Sequence, residues 1–206
     1  MAGGTPNVKH LWIQDPSGIG DPAVVNETTP EYPGLVGKVG NVKESAGVRT
    51  KVLQYVKRVA TDTTVAAAAG ALAYWQDHDD FVVCQDITLA LGGSTAPIPA
   101  GVFLGTFPAA GNYGYIQVAG TANLRLAGTS GLNPFCKAVV AGDQLMADGS
   151  TATGSVNSPV LGTDAATLVK ELVIRARPVA GIAIAAQTVT TGGTVAALIV
   201  LPHNGW

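Results

Sequence analysis

The densest cluster of side chains able to do chemistry is Asp77-His78-Asp79-Asp80, with Asp86 close behind. Three carboxylates and an imidazole could hold a divalent cation through hard oxygen ligands. The spacing does not match an EF-hand loop, which needs a central glycine turn and a closing glutamate. Asp77, Asp79 and Asp80 are therefore read as an acidic turn between Trp75 and Phe81, and no metal or cofactor is expected.

The other reactive types are scattered. His10, His78 and His203 are far apart. Ser130 lies in Gly128-Thr129-Ser130-Gly131, which reads as a turn rather than a nucleophile elbow. No glycine-rich loop matches the phosphate-binding or dinucleotide-binding patterns. Cys84 and Cys136 stand 52 residues apart in apolar surroundings, with no CxxC pair. Two thiols cannot define a metal site, and we read both as small buried hydrophobes. Tyr113 and Tyr115 in Gly-Asn-Tyr-Gly-Tyr could stack on bases, but no local Lys or Arg neutralises phosphates. These absences argue against an enzyme and against a nucleic-acid partner.

Composition points the same way. The chain has 206 residues, of which 13% are charged and 26 are glycine. Soluble domains usually carry roughly 25% charge. Seventeen of the 26 charged side chains fall in residues 1–86, and residues 87–124 hold none over 38 positions. Glycine, proline and threonine break that stretch every few residues, which describes tightly turned strands. Alternate strand positions face outward, so part of it is expected at a subunit interface. Residues 178–206 also lack formal charge and are long enough to raise the question of a membrane span. Gln187, four threonines and Gly192-Gly193 instead predict a hairpin of strands at 179–187 and 194–201.

The elements follow from the punctuation. Turn signals recur near every ten residues, which predicts an all-β domain at 49–201, a small barrel or sandwich of short strands. Strands are expected at 72–75, 81–84, 87–91, 102–106, 113–119, 123–127, 136–140, 144–147 and 160–161, with 170–175 a further candidate. Residues 52–59 could be helix or strand, and 65–69 a short helix. Residues 1–48 hold Pro6, Pro16, Pro22, Pro30 and Pro33, which exclude a long helix or central strand. Trp12, Ile13, Tyr32 and Leu35 suit an extended arm with apolar anchors, ordered mainly by contacts outside its own subunit's core. Lys38, Lys43 and Arg49 belong to a basic run over 38–58 that could dock on an acidic protein surface. Residues 202–206 form a tail ending on Trp206, a further candidate anchor. The N-terminus, Met-Ala-Gly-Gly-Thr-Pro, has no apolar h-region, which implies synthesis in a cytoplasm.

A resemblance covers residues 51–201. It runs through Ala-Tyr-Trp-Gln-Asp before Phe-Val-Val, then Gly-Asn-Tyr-Gly-Tyr-Ile-Gln-Val-Ala-Gly, then Val-Val-Ala-Gly-Asp-Gln-Leu-Met-Ala-Asp-Gly. Val-Leu-Gly-Thr and Val-Ala-Gly-Ile-Ala-Ile-Ala complete it. In these phrases the chain resembles the head decoration, or cement, proteins of tailed bacteriophages. The phrases specify turns rather than chemistry, so no functional residue carries over by signature. The resemblance implies a β-rich virion protein made in the host cytoplasm. It would bind the major capsid protein on the exterior of an icosahedral capsid, as a homotrimer, and stiffen the shell. The alternative is a tail-associated or adhesin-like module for a host glycan, whose one aromatic candidate is Trp75 beside Asp77–Asp80.

Overall fold

The computed structural model describes residues 25–30, 36–37, 39–43, 50–63, 68–93, 97–106, 108–126, 139–147, 156–157, 179–187 and 193–201. They form an all-β protein of two sheets. The first sheet contains β1 (Val39–Lys43), β2 (Thr50–Arg58), β3 (Leu72–Asp77), β4 (Val82–Cys84), β5 (Pro99–Phe103) and β6 (Tyr113–Ala119). The second contains β7 (Thr121–Arg125), β8 (Gln144–Ala147), β9 (Val156–Asn157), β10 (Val179–Ala183) and β11 (Thr194–Ile199).

The first sheet closes on itself. Its order is β1-β2-β4-β3-β5-β6, and β2 also pairs with β6. Five strands, β2-β4-β3-β5-β6, therefore make a closed barrel, the architecture that removes free sheet edges. Strand β2 has nine residues and serves three partners. Its C-terminal end runs parallel to β4 at Lys57 and Arg58, while β1 lies antiparallel along Thr50 to Gln54. The opposite edge of β2 takes β6 from Val52 to Lys57. The second sheet runs β7-β11-β10-β8-β9, and a parallel bridge between Leu126 and Val156 brings its two ends together.

Three apolar clusters explain why so few positions carry charge. The barrel interior takes Val56, Ala73, Trp75, Val83, Phe103 and Ile116, drawn from all five barrel strands. The alternate residues of the same strands face out, yet stay dry. Leu72, Tyr74, Cys84 and Val102 pack with Leu124, Leu145, Val195 and Ala197 of the second sheet. Strand β5 is thus buried at all five positions. On the far side, Leu53, Tyr55 and Tyr115 are covered by Val25 and Val36.

Within residues 87–124 the outward positions of β5 and β6 are largely covered by the chain's own second sheet and N-terminal segment, while Leu91 and Asn123 stay exposed. Residues 87–91 are not the expected strand. Ile87–Leu89 form a 3-10 turn, because the Asp86 carboxylate accepts from the Thr88 backbone N–H at 2.9 Å and from its hydroxyl at 2.7 Å. Such local caps compete with strand pairing.

Where it is described, at residues 25–30, 36–37 and 39–43, the arm lies along the chain's own barrel. Strand β1, within residues 1–48, pairs with β2 along its whole length. Glu27 bridges Tyr113 through two backbone hydrogen bonds, at 3.0 and 2.7 Å. The Asn26 side chain accepts from the Ala109 N–H and from the Asn112 amide, each at 2.9 Å. The Tyr55 hydroxyl donates to the Glu27 carboxylate. Trp12, Ile13, Tyr32, Leu35, Lys38, Arg49 and Trp206 lie outside the described residues, as do the strands expected at 160–161 and 170–175.

Candidate interface surface

The acidic cluster holds a turn together. The Asp77 carboxylate accepts from the backbone N–H groups of Asp79 at 3.0 Å and Asp80 at 3.2 Å. This Asx-type bonding lets the chain reverse between β3 and β4. Phe81 then adopts φ 55°, a left-handed conformation that costs a non-glycine residue energy. Its ring packs against Trp75, with centroids 6.3 Å apart, and lies so close to Gly37 that a Cβ there would sit 2.3 Å from it. Asp79 and Asp80 point to solvent. Among the described residues, no three His, Cys, Asp or Glu side chains gather as a metal site.

Two acids do other work. Asp62 is fully buried and pairs with Arg58, which is 2% exposed, at 2.7 Å from Nε. Arg58 also donates from Nη2 to the Asp62 carbonyl at 3.0 Å and from Nη1 to the Pro108 carbonyl at 3.3 Å. Its guanidinium carbon lies 5.7 Å from the centre of the Phe103 ring. The Asp62 carboxylate accepts in addition from the backbone N–H groups of Gln85 at 2.7 Å and Asp86 at 3.3 Å. This network ties β2, the turn after it and the end of β4 into one buried unit. Sequence reasoning missed it and placed Arg58 in an exposed basic run. A spacing of four residues is a helical pairing signal. Here the pair forms because the chain turns back after β2.

Cys84 is buried and outside any disulfide. Burial first, then the nearby Asp62 and Asp86 carboxylates, push its thiol up to about 12, with Arg58 opposing. Such a thiol is a packing residue rather than a nucleophile. The folded state therefore keeps a proton that the unfolded chain releases above an ordinary thiol pKa of about 8.5. Stability must fall as pH rises through that value. Tyr55, also raised by burial and by its bond to Glu27, adds to the fall above about pH 10. In urea titrations from pH 8 to 10, Cys84→Ala should remove a decline on the order of 1 kcal/mol. An unchanged slope would contradict the burial of this thiol.

Among the described residues, the second sheet gathers most of the exposed large apolar side chains. Among the described residues the exposed large apolar side chains are Val39, Leu91, Val140, Ile184, Leu198 and Val200. The last four lie in or beside this sheet. On β11 the residues Val195, Ala197 and Ile199 point inward, while Thr194, Ala196 and Leu198 point outward. Leu198 stands directly opposite Ile182 of β10. Ile184, just past β10, donates its N–H to the Ala196 carbonyl at 2.9 Å. The outward rows continue onto Thr121 and Asn123 of β7 and Gln144 of β8. An apolar centre is thus flanked by polar side chains, Arg125 opposite Thr194 among them, the anatomy of a protein interface. In the five strands of this sheet Arg125 is the one charged residue.

The pairing of β10 with β11 fulfils the predicted hairpin. Among the described residues no helix is long and apolar enough to cross a membrane. No protein-family model matches the chain. No curated protein sequence matches it either.

Proposed function

We propose that this chain is a virion structural protein that decorates the exterior of an icosahedral phage capsid. In this reading it bridges major capsid protein subunits as a symmetric oligomer, a trimer in the family it resembles. The observation that carries the reading is the outer face of the second sheet, whose apolar centre leaves Leu198 44% and Ile184 43% exposed and whose strands bring a single charge, Arg125 at the β7 edge. Clamping a shell needs contact area and apolar anchors, without tuned acids or bases. The closed first barrel supplies a rigid body, and the buried Arg58–Asp62 unit adds stiffness without reactive chemistry. The sequence resemblance gives the reading its particular setting.

The glycan-binding alternative loses its candidate platform. It needed an exposed Trp75 beside the acidic turn, but Trp75 is 7% exposed and fills the barrel interior. The test is co-sedimentation of the purified chain with expanded shells of the major capsid protein encoded in the same genome. Saturable binding to shells, with no signal on a glycan array, is the expected result. Glycan binding without shell binding would overturn the reading.

A further inference from the structure

We infer that the β6 edge at Tyr113 is a binding slot for a short, extended, acidic segment of a partner protein, and that residues 25–27 are a removable strap that fills it in the free chain. The site belongs to the first sheet and does not depend on the capsid reading. Strand β5 pairs with β6 at Gln117 and Ile116 and goes no further. Strand β2 takes the other edge of β6, from Ala119 to Tyr113. The edge that β5 leaves at Tyr113 is filled by Glu27. The Glu27 N–H donates to the Tyr113 carbonyl at 3.0 Å, and the Glu27 carbonyl accepts from the Tyr113 N–H at 2.7 Å.

The slot is shaped to the segment it holds. Gly114 has no side chain where the strap crosses, and a Cβ there would sit 2.6 Å from the Val25 carbonyl oxygen. Two donors, the Ala109 N–H and the Asn112 side-chain amide, converge on the Asn26 side-chain oxygen, each at 2.9 Å. A third donor, the Tyr55 hydroxyl, meets the Glu27 carboxylate. The Lys57 Nζ stands 5.5 Å from the centre of the Tyr113 ring. The backbone pair at Tyr113 is strand addition, which accepts any extended segment. The three donors and the nearby cation select one with oxygen acceptors at two successive residues. Hydrogen bonds to ionised acceptors are roughly twice as strong as neutral ones. A carboxylate in place of the Asn26 amide would therefore bond better than the strap itself, and Asp-Glu is the preferred pair.

The strap is held by polar bonds rather than by burial. Among residues 25–30 none is fully buried, and Asn26, Thr28 and Thr29 are exposed. Beneath it, Val56 and Arg58 of β2 are 0% and 2% exposed. Segments with few buried apolar contacts open locally, ahead of global unfolding. Opening 25–27 leaves the β2–β6 ladder whole. The tethered strap competes at an effective concentration on the order of millimolar. A second copy offers the same residues without the tether and so displaces nothing. The displacing segment must bond better, which the acidic pair does.

Both halves are tested on the full chain. By hydrogen exchange, the Tyr113 N–H should open at least tenfold more often than the N–H groups of β2 that pair with β6. Asn26→Ala with Glu27→Ala should speed it a further tenfold and leave the β2 groups unchanged. The probe for the slot is a labelled peptide of residues 23–29, Ala-Val-Val-Asn-Glu-Thr-Thr. In fluorescence anisotropy it should bind the double variant roughly tenfold more tightly than wild type, because the strap no longer competes. Aspartate at the peptide's asparagine should tighten binding several-fold. Alanine at its glutamate should weaken binding about tenfold, the loss of one charge-assisted bond. Should the double variant fail to fold, Asn26→Ala alone, at an exposed position, decides both halves. A Tyr113 N–H that exchanges only together with the β2 groups overturns the inference. So does a loosened strap that leaves the peptide unbound, or a peptide affinity indifferent to its acidic residues.

Discussion

Asp62→Ala should destabilise the protein by about 3–5 kcal/mol, the usual effect of removing one partner of a buried ion pair. The reason is specific to this site. Arg58 would keep its charge at 2% exposure without its carboxylate partner. The backbone N–H groups of Gln85 and Asp86 would also lose their acceptor. Replacing both partners separates the causes. Arg58→Met with Asp62→Leu removes the stranded charge and should recover much of the loss, since apolar substitutes for buried pairs are often neutral. It will not recover the two backbone donors, so the double variant should remain below wild type by about 1–3 kcal/mol. Urea unfolding of the two variants beside the wild type reads this directly. A loss near zero for Asp62→Ala would mean that the network does not hold β2 and β4 together.

The second large effect belongs to the joint between the sheets. Gly70 has φ +79°, and a Cβ there would sit 2.2 Å from the Asn123 carbonyl oxygen. Its own groups bond both ways: its N–H donates to Phe103 of β5 at 2.9 Å, and its carbonyl accepts from Arg125 of β7 at 2.8 Å. Alanine would carry the left-handed backbone cost of about 1–2 kcal/mol. It would also have to move backbone, which cannot yield as a flexible side chain does. A total of about 3 kcal/mol should lower Tm by about 10 °C in a chain of this size. Near-native Tm for Gly70→Ala would show that the two sheets tolerate sliding at this contact. The charge-free character of β5 would then need another cause than burial on both faces.

What the sequence disclosed follows from what is local. Turn residues and alternation located β3, β4, β6, β8 and the β10–β11 pair to within a few residues, because each is bounded by its own punctuation. Closure was not visible. Strand β2 meets β1, β4 and β6, and those partners are separated from it by as many as about sixty residues, beyond the reach of any periodicity. The same gap hides how much of residues 87–124 the chain itself covers. Alternation shows which residues of a strand share a face, but not that the other face of β5 is covered by β7–β11. Arg58 was counted with Lys38, Lys43 and Arg49 because sequence proximity says nothing of burial. The glycine spacing gave no hint that Gly70 spans two sheets.

The candidate surface was closer to the page. Residues 178–206 stood out as free of charge, and were weighed as a membrane span before being read as a hairpin. In β11, Thr-Val-Ala-Ala-Leu-Ile, leucine and alanine occupy outward positions where a solvated strand would place polar groups. That signal marks the row at which Leu198, Ile184 and Val200 stand exposed. The contact of the described N-terminal residues with Tyr55, Tyr113 and Asn112 depends on Glu27 and Asn26, which no spacing singles out.

The most direct test of the assembly reading is an electron-microscopic reconstruction of expanded shells, with and without the purified chain added. The account predicts added density outside the shell, arranged on its symmetry axes, into which the two-sheet body fits. Shells that gain no external density at saturating protein would contradict it.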